Sequence, residues 1–207
     1  MTSSQFQALK SENGKTFYFR DVIKDMEGYE VLKFNNDKLL KKVKEVCQNI
    51  ISPVNKAKKN DPMFPKRANE FGNYVERYFL EKCIEMQLEY KKPTEKESGY
   101  PDGLLYFDNK YYYIEIKTCE ENSLKSSFRS FFYSPSKNPK IEHDAPHLLI
   151  GFETIKNELQ LNGMFLIADM YDKKVTLKLE YNTNNKELYK SEGLLIKASP
   201  PKVSSSC

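Results

Sequence analysis

The chain has 207 residues, of which 39% are hydrophobic and 30% charged, a composition typical of one globular domain with its own core. A net charge of +4 permits a polyanionic partner without requiring one. No apolar run approaches the roughly 18 residues of a membrane-spanning helix, and the first residues lack the apolar segment of a secretory signal. We therefore expect a cytoplasmic protein that does not bind membranes.

The chain order predicts a single domain over residues 1–207. Its two ends, at about 1–15 and 198–207, offer little that could pack, so we expect disordered tails there. The four cysteines are widely spaced and form no C-x-x-C pair, which is typical of reduced thiols rather than of a disulfide framework or a zinc site.

Two helices are predicted in the first half. Residues 37–51 place apolar side chains at helical spacing, with Asn36 or Asp37 as the N-terminal cap. The proline- and lysine-rich segment that follows, residues 52–66, is predicted to be a loop. A second helix is expected from about Arg67 to Tyr90, with its apolar stripe in the core.

Strands dominate the second half. Residues 100–117 consist of two apolar runs around an Asp-Asn pair, the pattern of a β-hairpin. Runs of Leu, Ile, Val and Phe predict further strands at 146–154, 163–170 and 173–181. This order of elements indicates an α+β (α/β-like) domain with a mixed central β-sheet flanked by helices.

The hairpin brings charged residues together. A two-residue type I′ turn at 108–109 fixes the pairing of the two strands, and continuing that pairing puts Asp102 opposite Glu115. Strand alternation then places Lys117 on the same face and turns Ile116 to the other. Three charged side chains are therefore expected at one end of the hairpin.

Such a cluster suits a metal ion. Two close carboxylates repel each other unless a cation lies between them. Mg²⁺ prefers carboxylate oxygens and keeps several waters, and the carbonyl of Ile116 could add a ligand. Lys117 beside the ion could orient or deprotonate a bound water, as phosphodiester hydrolysis requires. The alternative is a salt-bridge cluster of Asp102, Glu115 and Lys117 that has no catalytic role.

Pro101-Asp102, followed after twelve residues by Glu115-Ile116-Lys117, resembles the PD-(D/E)XK motif of the nuclease superfamily that includes type II restriction endonucleases. The resemblance implies a restriction-endonuclease-like core and a Mg²⁺-dependent, type II site-specific deoxyribonuclease, with Mn²⁺ as a substitute metal. It implies metal binding by Asp102, Glu115 and Ile116.

The family often adds an acidic residue from an upstream helix. The segment 72–79, GNYVERYF, looks like that helix, and the alignment makes Glu76 the catalytic acid. Glu70 is the competing candidate, because both residues flank the apolar stripe and helical geometry does not decide between them.

Residues 123–144 mix cationic and small polar side chains with aromatics, a combination suited to phosphates and base edges. The candidate DNA-binding residues are Lys125, Ser127, Arg129, Lys137, Asn138 and Lys140. The alternative is an amphipathic crossover whose charges lie in water. His147 is expected as a polar residue at the start of the next strand.

The leading hypothesis is a sequence-specific endonuclease acting on double-stranded DNA. A palindromic target would imply a homodimer by symmetry. Neither a P-loop nor a G-x-G-x-x-G segment occurs, so no nucleotide cofactor is expected. Two alternatives stay open: a structure-specific nuclease of the same superfamily, of the junction-resolvase or repair type, and a non-catalytic DNA-binding domain.

Overall fold

The structure is a computed structural model that describes residue 7 and residues 10–92, 99–121, 131–135 and 140–179. Within these ranges no helix is long and apolar enough to cross a membrane. The predicted tails lie mainly outside the described residues.

The chain divides into two compact units. The larger is Thr16–Val175, and the smaller combines Met1–Lys15 with Thr176–Cys207. In the smaller unit, the backbone N–H of Gly14 donates to the Leu177 carbonyl at 2.8 Å, and the N–H of Leu177 donates to the Lys15 carbonyl at 2.9 Å.

The described helices are α1 (Phe19–Glu27), α2 (Asp37–Asn60) and α3 (Ala68–Glu85). The described strands are β1 (Thr16–Tyr18), β2 (Val31–Leu32), β3 (Glu89–Lys91), β4 (Gly103–Phe107), β5 (Lys110–Glu120), β6 (Ala145–Thr154), β7 (Leu161–Asp169) and β8 (Lys174–Thr176). The strands predicted after the hairpin correspond to β6, β7 and a shorter β8.

Six of these strands form the central sheet, in the order β2-β6-β5-β4-β3 with β7 also paired to β6, while β1 and β8 pair separately. The pairs β3–β4, β4–β5 and β6–β7 are antiparallel, whereas β2–β6 and β5–β6 are parallel. The parallel pairing of β5 with β6 requires the long crossover between them. The predicted α+β class with a mixed sheet is confirmed.

Helices cover both faces of this sheet. On one face, α2 and α3 bury Val43, Val46 and Phe79 against Ile114 and other sheet residues. On the other face, α1 buries Phe19 and Ile23 against Tyr113 of β5. Because successive residues of β5 point to opposite faces, this one strand contributes to both cores. The predicted flanking of the sheet by helices is confirmed.

Helix α2 is longer than predicted. Its N-terminus is capped by Asn36, whose side chain accepts a hydrogen bond from the Leu39 N–H at 2.9 Å. The predicted loop at 52–66 is wrong at residues 52–60, because α2 continues through Pro53 to Asn60. Pro53 removes one helical hydrogen bond, but Val54 and Ala57 are buried beyond it and hold the extra turns against the core.

Helix α3 is shorter than predicted. It ends at Glu85 rather than at Tyr90, and Gln87 takes a positive φ of 57°. Tyr90 lies instead in β3, where it pairs with Leu105 of β4. Leu88 and Tyr90 are buried while Glu89 is exposed, so the residues after the helix follow the period of a strand.

The predicted hairpin is confirmed in type and register. Asp108 and Asn109 have φ values of 49° and 60°, as a type I′ turn requires. Phe107 pairs with Lys110, and at the other end Gly103 pairs with Ile114. The pairing of the two strands therefore ends one residue before Asp102 would pair with Glu115.

Candidate active site

Asp102, Glu115 and Lys117 lie together at the open end of the hairpin. Oδ2 of Asp102 accepts a hydrogen bond from the backbone N–H of Ile116 at 2.7 Å. The ammonium group of Lys117 contacts the carboxylate of Glu115 and lies 3.9 Å from Oδ2 of Asp102. The sequence prediction that these charges converge is therefore correct.

Glu115 is the most buried of the three, with 3% of its surface exposed. Burial, and next the negative charge of Asp102, raise the pKa of Glu115 to about 7, although the neighbouring Lys117 opposes the shift. Its Oε2 atom is buried and has no hydrogen-bond partner within the described part of the chain. A buried carboxylate oxygen in this condition costs free energy unless a cation binds it.

Lys117 supplies the positive charge in the structure. Besides its contact with Glu115, its Nζ donates to the backbone carbonyl of Ile116 at 3.2 Å. The ammonium thus lies against every oxygen group predicted to bind metal. A divalent ion held by those oxygens would have to displace Lys117 from them.

The oxygen atoms at the open end of the hairpin fit a Mg²⁺ site that has few protein ligands. Across the ranges that the structure describes, no group of three or more His, Cys, Asp or Glu side chains is arranged to hold a metal ion. Asp102 and Glu115 form a pair, and the carbonyl of Ile116 is a third oxygen beside them. Mg²⁺ is commonly bound through one or two carboxylates and retains waters, and the unpartnered Oε2 of Glu115 is available to it.

The two candidate helix acids have different surroundings. Glu76 is 14% exposed and pairs with Lys92, its Oε1 lying 2.7 Å from the lysine Nζ. Oε2 of Glu70 accepts a hydrogen bond from the backbone N–H of Lys66 at 3.3 Å, at the exposed start of α3. Glu76 is therefore the less exposed of the two candidates.

Lys140 is a second cation at the site. Its Nζ donates to the carbonyls of Gly99 at 2.7 Å and Pro101 at 3.2 Å, so it lies against the segment that leads into Asp102. Burial lowers the pKa of Lys140, and the carboxylates of Asp102 and Glu115 oppose that shift. The other predicted DNA-binding residues lie outside the described residues: Lys125, Ser127, Arg129, Lys137 and Asn138.

Tyr90 lies beside Gly103, on the face of the sheet opposite to Glu115, and the sequence analysis wrongly placed it in a helix. It is 5% exposed. Burial first, and then the charges of Asp102 and Glu76, raise its pKa well above the usual value, so the hydroxyl stays protonated. The signal that could have found it is the alternation of buried and polar residues after Met86, which is typical of a strand.

His147 was expected as a polar residue at a strand end, and this prediction is wrong. The residue is fully buried in β6, where its Nδ1 lies 2.6 Å from the Tyr100 hydroxyl. Burial lowers the pKa of His147 to about 3, so the ring is neutral. It anchors Tyr100, two residues before Asp102, and does not act as a solvent-exposed acid or base.

A mixed sheet covered by helices, with an acid before one strand and Glu-X-Lys on its antiparallel neighbour, is consistent with a restriction-endonuclease-like core. The sequence profile of the Type II restriction enzyme MjaV family matches residues 11–192. Type II restriction enzyme MjaV of Methanocaldococcus jannaschii is 32% identical over 197 residues, covering 84% of this chain and 85% of that protein. The chain belongs to the Type II restriction enzyme MjaV family, a family of site-specific deoxyribonucleases.

Proposed function

We propose that this protein is a Mg²⁺-dependent endonuclease of the PD-(D/E)XK superfamily that hydrolyses phosphodiester bonds of double-stranded DNA at a specific sequence. The observation that carries the proposal is the convergence of Asp102, Glu115 and Lys117 at the open end of one hairpin. Membership of a family of type II restriction enzymes supports the sequence-specific form of the activity.

Asp102, Glu115 and the Ile116 carbonyl would hold the ion. The hydrogen bond from the Ile116 N–H orients the Asp102 carboxylate, and the burial of Glu115 keeps competing water from its oxygens. When bound, Mg²⁺ would neutralise charge on the scissile phosphate and lower the pKa of a water ligand.

Lys117 acts on the attacking water. Once it is released from the carboxylates, its Nζ stays within reach of the same small volume and would orient the water by donating a hydrogen bond to it. To take the proton of the water, Nζ would first have to give up its own proton to solvent. Glu76, which pairs with Lys92, would support the water molecules around the ion.

Cations near the carboxylates would bind the DNA backbone. Lys140 is held beside Asp102 by two carbonyls and would contact a phosphate next to the cleaved bond. We extend this role to Lys125, Ser127, Arg129, Lys137 and Asn138, which follow the catalytic strand in sequence. Cutting both strands of a palindrome requires two copies of the site, so we propose a cytoplasmic homodimer.

The test is a digest of plasmid DNA of known sequence with Mg²⁺, followed by sequencing of the fragment ends. We expect discrete fragments with one common end sequence, and none with Asp102→Asn. Cleavage of branched DNA without discrete plasmid fragments would favour the structure-specific nuclease instead. DNA binding without any cleavage by the wild type would favour the non-catalytic DNA-binding domain.

A further inference from the structure

Gly151 lies in the middle of β6, a strand that has a neighbour on each side. It pairs with Lys117 of β5 on one side and with Leu166 of β7 on the other. Residues paired across neighbouring strands share one face of the sheet, and neighbouring strands lie about 5 Å apart. Gly151 is therefore next to Lys117, on the face that carries Glu115.

The fold of the described residues gives no reason for a glycine at this position. Glycine weakens the interior of a strand, because it has no side chain to pack and more conformational freedom to lose. The φ angle of Gly151 is outside the left-handed region, and the irregularity in the β6–β7 pairing lies further along, between Phe152 and Thr154. A Cβ atom built at Gly151 would meet no atom of the described residues within 4 Å. At Gly103, by contrast, it would overlap the ring of Tyr90, so packing explains that glycine.

The space left by Gly151 has different chemical groups on its sides. Lys117, whose side chain is 32% exposed, supplies a positive charge on the β5 side. On the β7 side, Leu166 and Met164 are 47% and 60% exposed and supply apolar surface. Glu153, further along β6, pairs with Cys119 of β5 and puts a carboxylate on the same face. A phosphate at this surface is therefore favoured beside Lys117 and disfavoured towards Glu153.

We propose that the backbone of the DNA strand to be cut lies against Gly151, with the scissile phosphate towards Lys117 and the adjoining deoxyribose against Leu166. This inference rests on the proposed function and places its substrate on the sheet. A glycine inside a strand often marks a site where a ligand approaches the protein backbone closely. A side chain at position 151 would lift the DNA strand away from Lys117 and from the carboxylates. Gly151 is then retained for access of the substrate rather than for stability.

The test is single-turnover cleavage, with Mg²⁺, of plasmid DNA that the wild type cuts, measured over a range of enzyme concentrations. Gly151→Val should fold, because its Cβ enters open space and β-branched residues favour strands. In EDTA it should melt at the same or a higher temperature than the wild type. Its maximal cleavage rate should fall by about 100-fold, the loss that follows a displacement of about 1 Å at a reacting centre. Gly151→Ala should lose less, and calorimetry should give both variants the Mn²⁺ affinity of the wild type.

Gly72→Ala is the matched control. Gly72 lies within α3 on the opposite face of the sheet, where a new Cβ would make an ordinary contact with Oγ1 of Thr118 at 3.6 Å. Alanine is favoured over glycine inside a helix, so this variant should also be at least as stable as the wild type. It should cleave plasmid DNA at the wild-type rate.

Three results would overturn the role of Gly151 alone. The first is a wild-type cleavage rate in Gly151→Val. The second is a lower melting temperature of both Gly151 variants, which would show that the chain itself fills the space. The third is a loss of self-association in Gly151→Val, measured by sedimentation, which would assign this face to a second copy of the chain. Failure of the wild type to cut DNA would overturn the proposed function and this role together.

Discussion

The two ends of the hairpin formed by β4 and β5 each carry a lysine–carboxylate pair, in opposite environments. At the turn, Lys38 lies 3.4 Å from Asp108, and their side chains are 68% and 49% exposed. At the open end, Lys117 contacts Glu115, which is 4% exposed. Solvent screens the first pair, so it contributes little, whereas the second holds the Glu115 carboxylate in a buried position at a cost to stability.

The comparison indicates that the buried pair of Lys117 and Glu115 is not explained by its contribution to stability. A pair that only stabilised the fold would be cheaper at the exposed turn or as two apolar residues. A buried carboxylate pair with one lysine is a site where a divalent ion and a phosphate gain most from electrostatics. Under the proposed function, the open end is the part of the hairpin where stability is given up for chemistry.

The largest expected effect is on cleavage. Lys117→Ala should lower the rate of DNA cleavage by roughly 10²- to 10⁴-fold, the usual contribution of a group that moves a proton. Single-turnover cleavage of DNA carrying one site measures this. Lys38→Ala removes the lysine of α2 that pairs with Asp108 at the exposed turn, so it is the control and should cleave at the wild-type rate. A Lys117→Ala enzyme of normal rate would remove the role proposed for Nζ.

The next effect is on stability and depends on pH. The pKa of Glu115 is raised to about 7 in the folded state, so the folded protein binds the proton more tightly than the unfolded chain. Stability from this group is therefore present at low pH and is lost as the pH rises through about 7. Glu115→Gln imitates the protonated form, and in EDTA at pH 8 it should be more stable by about 2–3 kcal/mol.

The difference between Glu115→Gln and the wild type should shrink as the pH is lowered towards 5, since the wild-type carboxyl then carries its proton. Urea unfolding at pH 5 and pH 8 measures both values. Asp108→Asn, at the exposed end, should show no comparable pH-dependent gain. A Glu115→Gln protein that is less stable than the wild type at pH 8 would mean that the ion pair with Lys117 stabilises the fold.

A smaller effect concerns competition between Lys117 and the metal. Because the ammonium lies against the Glu115 carboxylate and the Ile116 carbonyl, its removal should leave those oxygens freer for a cation. Lys117→Ala should therefore bind Mn²⁺ more tightly, by about 10-fold for one unit charge in a partly hydrated site. Isothermal titration measures this. Weaker Mn²⁺ binding would show that Lys117 helps to build the metal site.

The smallest effect is expected at the turn. Lys38→Ala and Asp108→Asn should each change the free energy of unfolding by less than about 0.5 kcal/mol, as is usual for an exposed ion pair. The two changes together should add up without coupling, as measured by a double-mutant cycle in urea. A coupling energy above about 1 kcal/mol would mean that the turn pair is worth more than its exposure suggests.

The hairpin was predictable from the sequence because it is determined by residues that are close together in the chain. Asp108 and Asn109 tolerate positive φ, and alternation along the strands fixes which side chains share a face. Those two facts place Asp102 opposite Glu115 without knowledge of the rest of the fold. The Asn36 cap and the apolar stripe of α2 are local in the same sense.

The errors have non-local causes. Helix α2 continues through Pro53 because Val54 and Ala57 are buried in the core. That burial depends on tertiary contacts, which the local sequence does not reveal. His147 is buried because the hydroxyl of Tyr100, distant in sequence, is there to pair with it. Tyr90 was placed in a helix because its pairing with Leu105 of β4 joins residues distant in sequence, and the alternation after Met86 covers only a few residues.

The most direct measurement is a crystal structure of the wild-type protein grown with Mn²⁺, with the ion located by its anomalous scattering. We expect one ion bound by the carboxylates of Asp102 and Glu115 and by the carbonyl of Ile116, and Lys117 displaced from its contact with Glu115. An ion bound elsewhere, with Lys117 still against Glu115, would contradict the assignment of the open end of the hairpin as the metal site.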